Sequence, residues 1–146
     1  MFNHLSYLTD EQIADFHRFI ANNKQNIELI TSRLMLAMGF KLSLIGSTYL
    51  RETIIFCYRN YLFSNVNFSK QVYPYLAQSH CSDERNVDRD LRTALKKCHE
   101  NGRMLIVNDI FSYEIVSPHY PPSVNEFVVQ LIHCINELET EFSAAL

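Results

Sequence analysis

Apolar residues recur every three or four positions along most of this chain, and almost nothing interrupts them. Its 146 residues contain only three glycines and four prolines, against 47% hydrophobic residues. A many-stranded sheet needs turn formers throughout, whereas helices of ten or more residues need them only at their ends. The pattern therefore predicts an all-α fold, a compact domain of six to seven helices with a core large enough to fold unaided.

The helix ends are marked locally. Thr9 followed by Gln12 forms a capping-box signature, and Ile13, Phe16 and Ile20 follow at helical spacing until Asn22-Asn23. These residues make the first 25 positions an amphipathic helix that either covers a core patch or offers a dimer or partner surface, while 26–146 form the main domain. A second helix over 26–38 ends at Gly39, placed as a left-handed cap. A connector at 40–47 leads to an apolar helix over 47–63, and 64–67 break the pattern. A short helix over 68–78 contains Pro74, which must lie in its first turn or bend it. A turn at 80–82 precedes a helix over 83–100 that Asn101-Gly102 stops. A short helix or turn is expected at 103–111, extended chain at 113–116 and a Pro-rich loop at 117–122. A last helix follows over 123–142, with Ser123 and Glu126 as a second capping box.

Charge is distributed unevenly. Residues 1–103 carry all 13 Lys and Arg and ten of the 16 acids, a net +3. Residues 104–146 carry the other six acids (Asp109, Glu114, Glu126, Glu137, Glu139 and Glu141) and no Lys or Arg, a net −6. Such asymmetry suits one face for a polyanion and another for water or a protein partner.

The helix over 83–100 concentrates the cations. At 100° per residue, Arg85, Arg89, Arg92 and Lys96 share a stripe about 60° wide, while Val87, Leu91, Ala94, Leu95 and Cys98 fill the opposite side. Such a helix can rest on a core and hold a row of positive donors outward. Arg presents a planar fork that fits guanine O6 and N7, and Lys is a point charge for phosphate. Asn86, Asp88 and Thr93 flank the stripe and can accept from cytosine or bond adenine. Ser82 or Asp83 can cap the start. Asp88 can also pair with Arg92 at i,i+4 and neutralise part of the stripe. Helix, tight turn and basic amphipathic helix is the order of a helix-turn-helix, with double-stranded DNA as partner through its major groove.

Other chemistry lacks a pattern. The four cysteines, Cys57, Cys81, Cys98 and Cys134, form no C-x-x-C pair, and the histidines adjacent to three of them point about 100° away, so no metal site is expected. No phosphate loop, dinucleotide-binding glycines, G-x-S-x-G or H-E-x-x-H occurs, so neither a cofactor nor an enzyme is expected. No apolar run reaches the ~20 residues of a membrane span. Residues 1–10 show no secretory leader, which makes the cytoplasm the expected location.

Five stretches then carry a resemblance. Gly46-Ser-Thr-Tyr-Leu-Arg-Glu52, Val72-Tyr-Pro-Tyr-Leu-Ala77, Val87-Asp-Arg-Asp-Leu-Arg92 with Ala94-Leu95, Phe111-Ser-Tyr113, and Pro122-Ser-Val-Asn-Glu-Phe127 occur in order. From about Ile30 to the C-terminus the chain resembles the DNA-binding effector domain of the stage zero sporulation protein A family. The resemblance implies a six-helix domain in which the third helix packs behind a helix-turn-helix and the Pro74 helix supports the recognition helix. It implies sporulation-type transcription regulation through a TGTCGAA-like element, often in tandem copies bound head to tail. A homodimer on such sites, and RNA polymerase or another regulator, are the further partners expected. It also implies base contacts by Arg89 and Arg92, with Asp88 contacting or orienting. Relative to the family pattern, Arg85 and Asn86 replace Ser-Arg, Asp88 replaces Glu, Asp90 replaces Ala and Thr93 replaces His. The family's phospho-acceptor receiver domain is not recognisable in the residues before the match. A standalone effector is therefore expected, governed by abundance or by a partner. The alternative is a protein-interaction module or antagonist that has lost DNA binding.

Overall fold

Several helix starts in this protein are set by side chains that satisfy free backbone amides. In the computed structural model, which describes residues 7–63, 66–101 and 103–145 (with side chains to 140), α1 spans Asp10–Asn22. Thr9 Oγ1 accepts from Gln12 N at 3.1 Å, and Gln12 Oε1 accepts from Thr9 N at 2.9 Å. Asn26 caps α2, Ile27–Met38, which ends at Gly39 with φ 94°. Then come α3, Ile45–Arg59, α4, Phe68–Gln71, α5, Tyr73–Ser79, and α6, Glu84–Glu100. A 3₁₀ turn, Arg103–Leu105, leads into α7, Ile106–Phe111, and the chain closes with α8, Val124–Ala145. The described residues are helical or irregular, with no strand. The fold is all-α, as the periodicity predicts. Because α4 and α5 occupy the span of one expected helix, the expected count of six to seven also holds.

Several boundaries differ from expectation, each for a local reason. The connector is shorter, because α3 begins at Ile45. That helix stops at Arg59 and not at 63. Tyr61 adopts φ 56°, its N–H reaches Tyr58 O at 3.2 Å, and Leu62 N reaches Cys57 O at 2.9 Å. This is a glycine-type helix stop built without glycine. The helix over 68–78 divides at Val72, so Pro74 lies in the first turn of α5, where its missing N–H costs no hydrogen bond. Residues 113–116 form no strand. The Asn108 side chain accepts from Val116 N at 3.0 Å and from Ile115 N at 2.9 Å, an amide shared with Tyr113 O, and donates to Val116 O at 2.8 Å. Gly102, Ser64 and Asn65, read as breakers, lie outside the described residues.

The core lies between α2, α3, α6, α7 and α8. Leu34, Met38, Leu50, Ile54, Leu91, Leu95, Val107, Ile110, Phe127 and Leu131 are buried within it. Each side chain of that size contributes about 1.5–3 kcal/mol when removed from water. The amphipathic α1 rests on α7 and α8, with Ile20 fully buried and Phe16 and Phe19 half-buried against the core. Among the described residues, no helix is long and apolar enough to cross a membrane.

Two of the six acids of the C-terminal segment are structural. Asp109 is buried and accepts from Tyr7 N at 2.7 Å and Leu8 N at 3.2 Å. Glu139 is buried and accepts from Gln25 N at 3.0 Å and Tyr58 Oη at 2.5 Å. The acidic segment is therefore less of a solvated face than its composition suggests.

Candidate nucleic-acid interface

The turn between α5 and α6 is built by backbone geometry and by an anchor on α3. Cys81 takes φ 51°, and Ser82 N bonds Ala77 O at 2.9 Å. His80 Nε2 lies 2.5 Å from Glu52 Oε2 on α3, and its ring meets Tyr49 edge-on at 4.9 Å. Asp83 caps α6, its Oδ1 accepting from Asn86 N at 2.8 Å and Oδ2 from Asn86 Nδ2 at 3.2 Å. Of the two expected caps, Asp83 is the one used, and it also holds the Asn86 side chain.

The inner face of α6 is the expected one. Val87, Leu91, Ala94, Leu95 and Cys98 are all buried. The helix presses on α3 so closely that a Cβ added to Gly46 would lie 2.2 Å from Asp90 O and 3.0 Å from Ala94 Cβ. Gly46 is needed for this close approach, and α3 forms the back of the helix-turn-helix.

The outer face presents Arg85, Arg89, Arg92, Thr93 and Lys96 to solvent. Arg85 and Lys96, the ends of the row, are about 16 Å apart at 1.5 Å per residue. Two members are paired with carboxylates. Arg89 Nε lies 3.5 Å from Asp90 Oδ1, and Arg92 Nη2 lies 3.0 Å from Asp88 Oδ2. Both guanidinium side chains nevertheless remain about two-thirds exposed, at 63% and 67%. Exposed pairs of this kind contribute about 0–1 kcal/mol, and they leave both guanidinium groups open to an incoming polyanion. Among the described residues, neither Arg85 nor Lys96 enters an ion pair.

Asp88 is half-buried, and its second oxygen is also engaged. Tyr73 Oη, from the first turn of α5, donates to Asp88 Oδ1 at 3.0 Å. Burial first, then the bond to Asp88, push the Tyr73 phenol above its ordinary value, so it remains a donor. The expected site residues thus share one side of α6: four cations on the exposed stripe, exposed Thr93 and half-buried Asn86 along one edge, and half-buried Asp88 along the other. The sequence reading missed Tyr73, Gly46, the Glu52–His80 anchor and the Arg89–Asp90 pair. Gly46 and Tyr73 lay inside the quoted motifs, but no local signal tells what each touches.

No solved structure matches the chain. The family described as Sporulation initiation factor Spo0A C terminal matches residues 30–135, a span from α2 into α8 that includes the whole helix-turn-helix. The chain belongs to this family of DNA-binding, sporulation-type transcription-regulatory domains.

Proposed function

We propose that the chain is a sequence-specific transcription regulator that reads a TGTCGAA-like element by laying α6 in the major groove. The observation that carries this reading is a cationic row, Arg85, Arg89, Arg92 and Lys96, exposed along a helix whose other face is anchored in the core. A major groove about 12 Å wide admits such a helix. Arg89 and Arg92 supply forks for guanine edges, while Arg85 and Lys96, at the two ends of the row, meet phosphates. Asn86 and Thr93 border the stripe on one side and Asp88 on the other. Residues 26–146 act as the DNA-binding domain, and α1, from the preceding segment 1–25, packs on it. Tandem copies of the element take two chains, RNA polymerase or another regulator receives the signal, and the cytoplasmic nucleoid is the site of action.

The test is fluorescence anisotropy with a TGTCGAA duplex and a scrambled duplex over a salt series. Specific binding through phosphates falls steeply with salt, the logarithmic slope being about −0.9 per phosphate neutralised. Arg89→Ala should cost about 1–3 kcal/mol on the cognate duplex and relax discrimination at one base pair. Equal retention of both duplexes by the unaltered chain, or undiminished discrimination by Arg89→Ala, would overturn the assignment.

A second reading, a protein-interaction module or antagonist without DNA binding, is favoured by one observation. Asp88 and Asp90 lie against two of the four stripe cations. It predicts that the same titration shows no duplex preference at any salt concentration.

A further inference from the structure

Asp88 stands on α6 three residues after Arg85 and four before Arg92, and both spacings place charged side chains in reach of each other. One carboxylate is therefore available to two arginines. Its Oδ2 lies 3.0 Å from Arg92 Nη2. Its Oδ1 is held at 3.0 Å by the Tyr73 hydroxyl, which comes from the neighbouring helix α5. Tyr73 is itself fixed, half-buried with its ring edge-on to buried Phe68 at 6.1 Å. Pro74 beside it sets the first turn of α5. The phenol can only donate to a carboxylate, so the bond has one direction. Arg92 also lies near enough to act on the Tyr73 hydroxyl electrostatically, which groups the three side chains at one place.

We propose that Tyr73 is a specificity-determining positioning residue: by holding Asp88 it directs the carboxylate to Arg92 and away from Arg85, fixing the Arg92 fork for a base edge while Arg85 keeps its charge for phosphate. The inference rests on the DNA-reading function proposed above and assigns a task within it to a residue of the supporting helix. A fork restrained before binding loses less side-chain freedom when it meets a base edge, whereas a mobile arginine serves any phosphate equally well. Tyr73 thus acts on discrimination and not on total attraction to DNA.

Tyr73→Phe keeps the ring and removes the hydroxyl. With the TGTCGAA and scrambled duplexes, the variant should lose about tenfold in the ratio of the two affinities, the scale of one hydrogen bond to a charged group. Its affinity for the scrambled duplex and its salt slope should stay as in the unaltered chain. Asp88→Ala should lower the ratio similarly, and the double variant should fall no further than Asp88→Ala alone, because both changes break one chain of contacts. Arg92→Lys, which keeps the charge without the fork, should lose the ratio and retain the scrambled affinity. Full discrimination in Tyr73→Phe, equal losses on both duplexes, or independent losses in the double variant each overturn the inference and leave the DNA reading standing. An unaltered chain that prefers neither duplex overturns the reading and this inference with it. A urea-unfolding cycle on Tyr73→Phe, Asp88→Ala and their double variant without DNA reads the Tyr73–Asp88 contact directly, and additive effects there overturn the inference whatever the duplexes show.

Discussion

Asn108 illustrates how much one buried polar side chain can hold. It takes up three backbone groups of the loop that follows α7, and it is 3% exposed. Asn108→Ala leaves the Val116 amide and carbonyl without partners in a dry site, where each such group costs about 1–3 kcal/mol, while Ile115 N keeps its bond to Tyr113 O at 2.9 Å. Urea unfolding should show a loss of roughly 3 kcal/mol, with limited relief from water entering the loop. A loss below about 0.5 kcal/mol would mean that this loop is not held by Asn108. Tyr73 belongs to the same class of residue, since a single hydroxyl joins two helices through Asp88. In both cases the informative substitution removes the polar atom with the least loss of packing.

Between helices, the contact between α3 and α6 is the one on which the exposed cations depend. Gly46 allows α6 to approach until its Asp90 carbonyl leaves no space for a Cβ. Gly46→Ala would favour α3 as an isolated helix by about 1 kcal/mol. The clash with backbone nevertheless forces the pair apart, and overpacking of this kind costs about 1–3 kcal/mol. The expected outcome is a lower melting temperature together with weaker binding of the cognate duplex. A variant as stable as the parent would show that α6 can shift freely, and would count against a rigidly seated recognition helix. Helix ends follow a related economy. Gln25, Tyr61, Cys81 and Ser112 all take positive φ just after helices, positions where glycine is common. With only three glycines in the chain, the end of α3 at Arg59 carried no glycine signal, whereas the turn at 80–82 was marked by its residues.

For the whole protein, buried thiols couple folding to alkaline pH. Desolvation by burial pushes Cys57 and Cys98 from the ordinary 9.0 up to about 12. Cys98 Sγ also donates to Met38 O at 3.2 Å. The folded chain keeps these protons where the unfolded chain releases them, so the folded state binds more protons above about pH 9. Their contribution is whole below that value and is lost as pH rises toward about 12. Under reducing conditions the urea midpoint should fall steadily from pH 8.5 upward, and Cys57→Ala with Cys98→Ala should flatten the slope (though the variant starts less stable). An unchanged slope in the double variant would assign the alkaline loss to other groups. Native-state thiol labelling offers an independent check: exposed Cys81 should react first, and buried Cys57 and Cys98 only on unfolding.

The all-α class, the Thr9 and Gly39 ends and the inner and outer faces of α6 were legible in the chain alone. Each depends on residues within a turn or two of one another, and a 3.6-residue repeat writes such information directly into the order of side chains. The Asp88–Arg92 pair was legible in the same way, but what holds Asp88 from the neighbouring helix was not, nor why Gly46 is glycine, nor what Glu139 bonds. Those answers join residues 15, 44 or 81 positions apart. Partners at that separation meet only after the helices have packed, because packing settles the distances and burial on which hydrogen bonds and charge pairing depend.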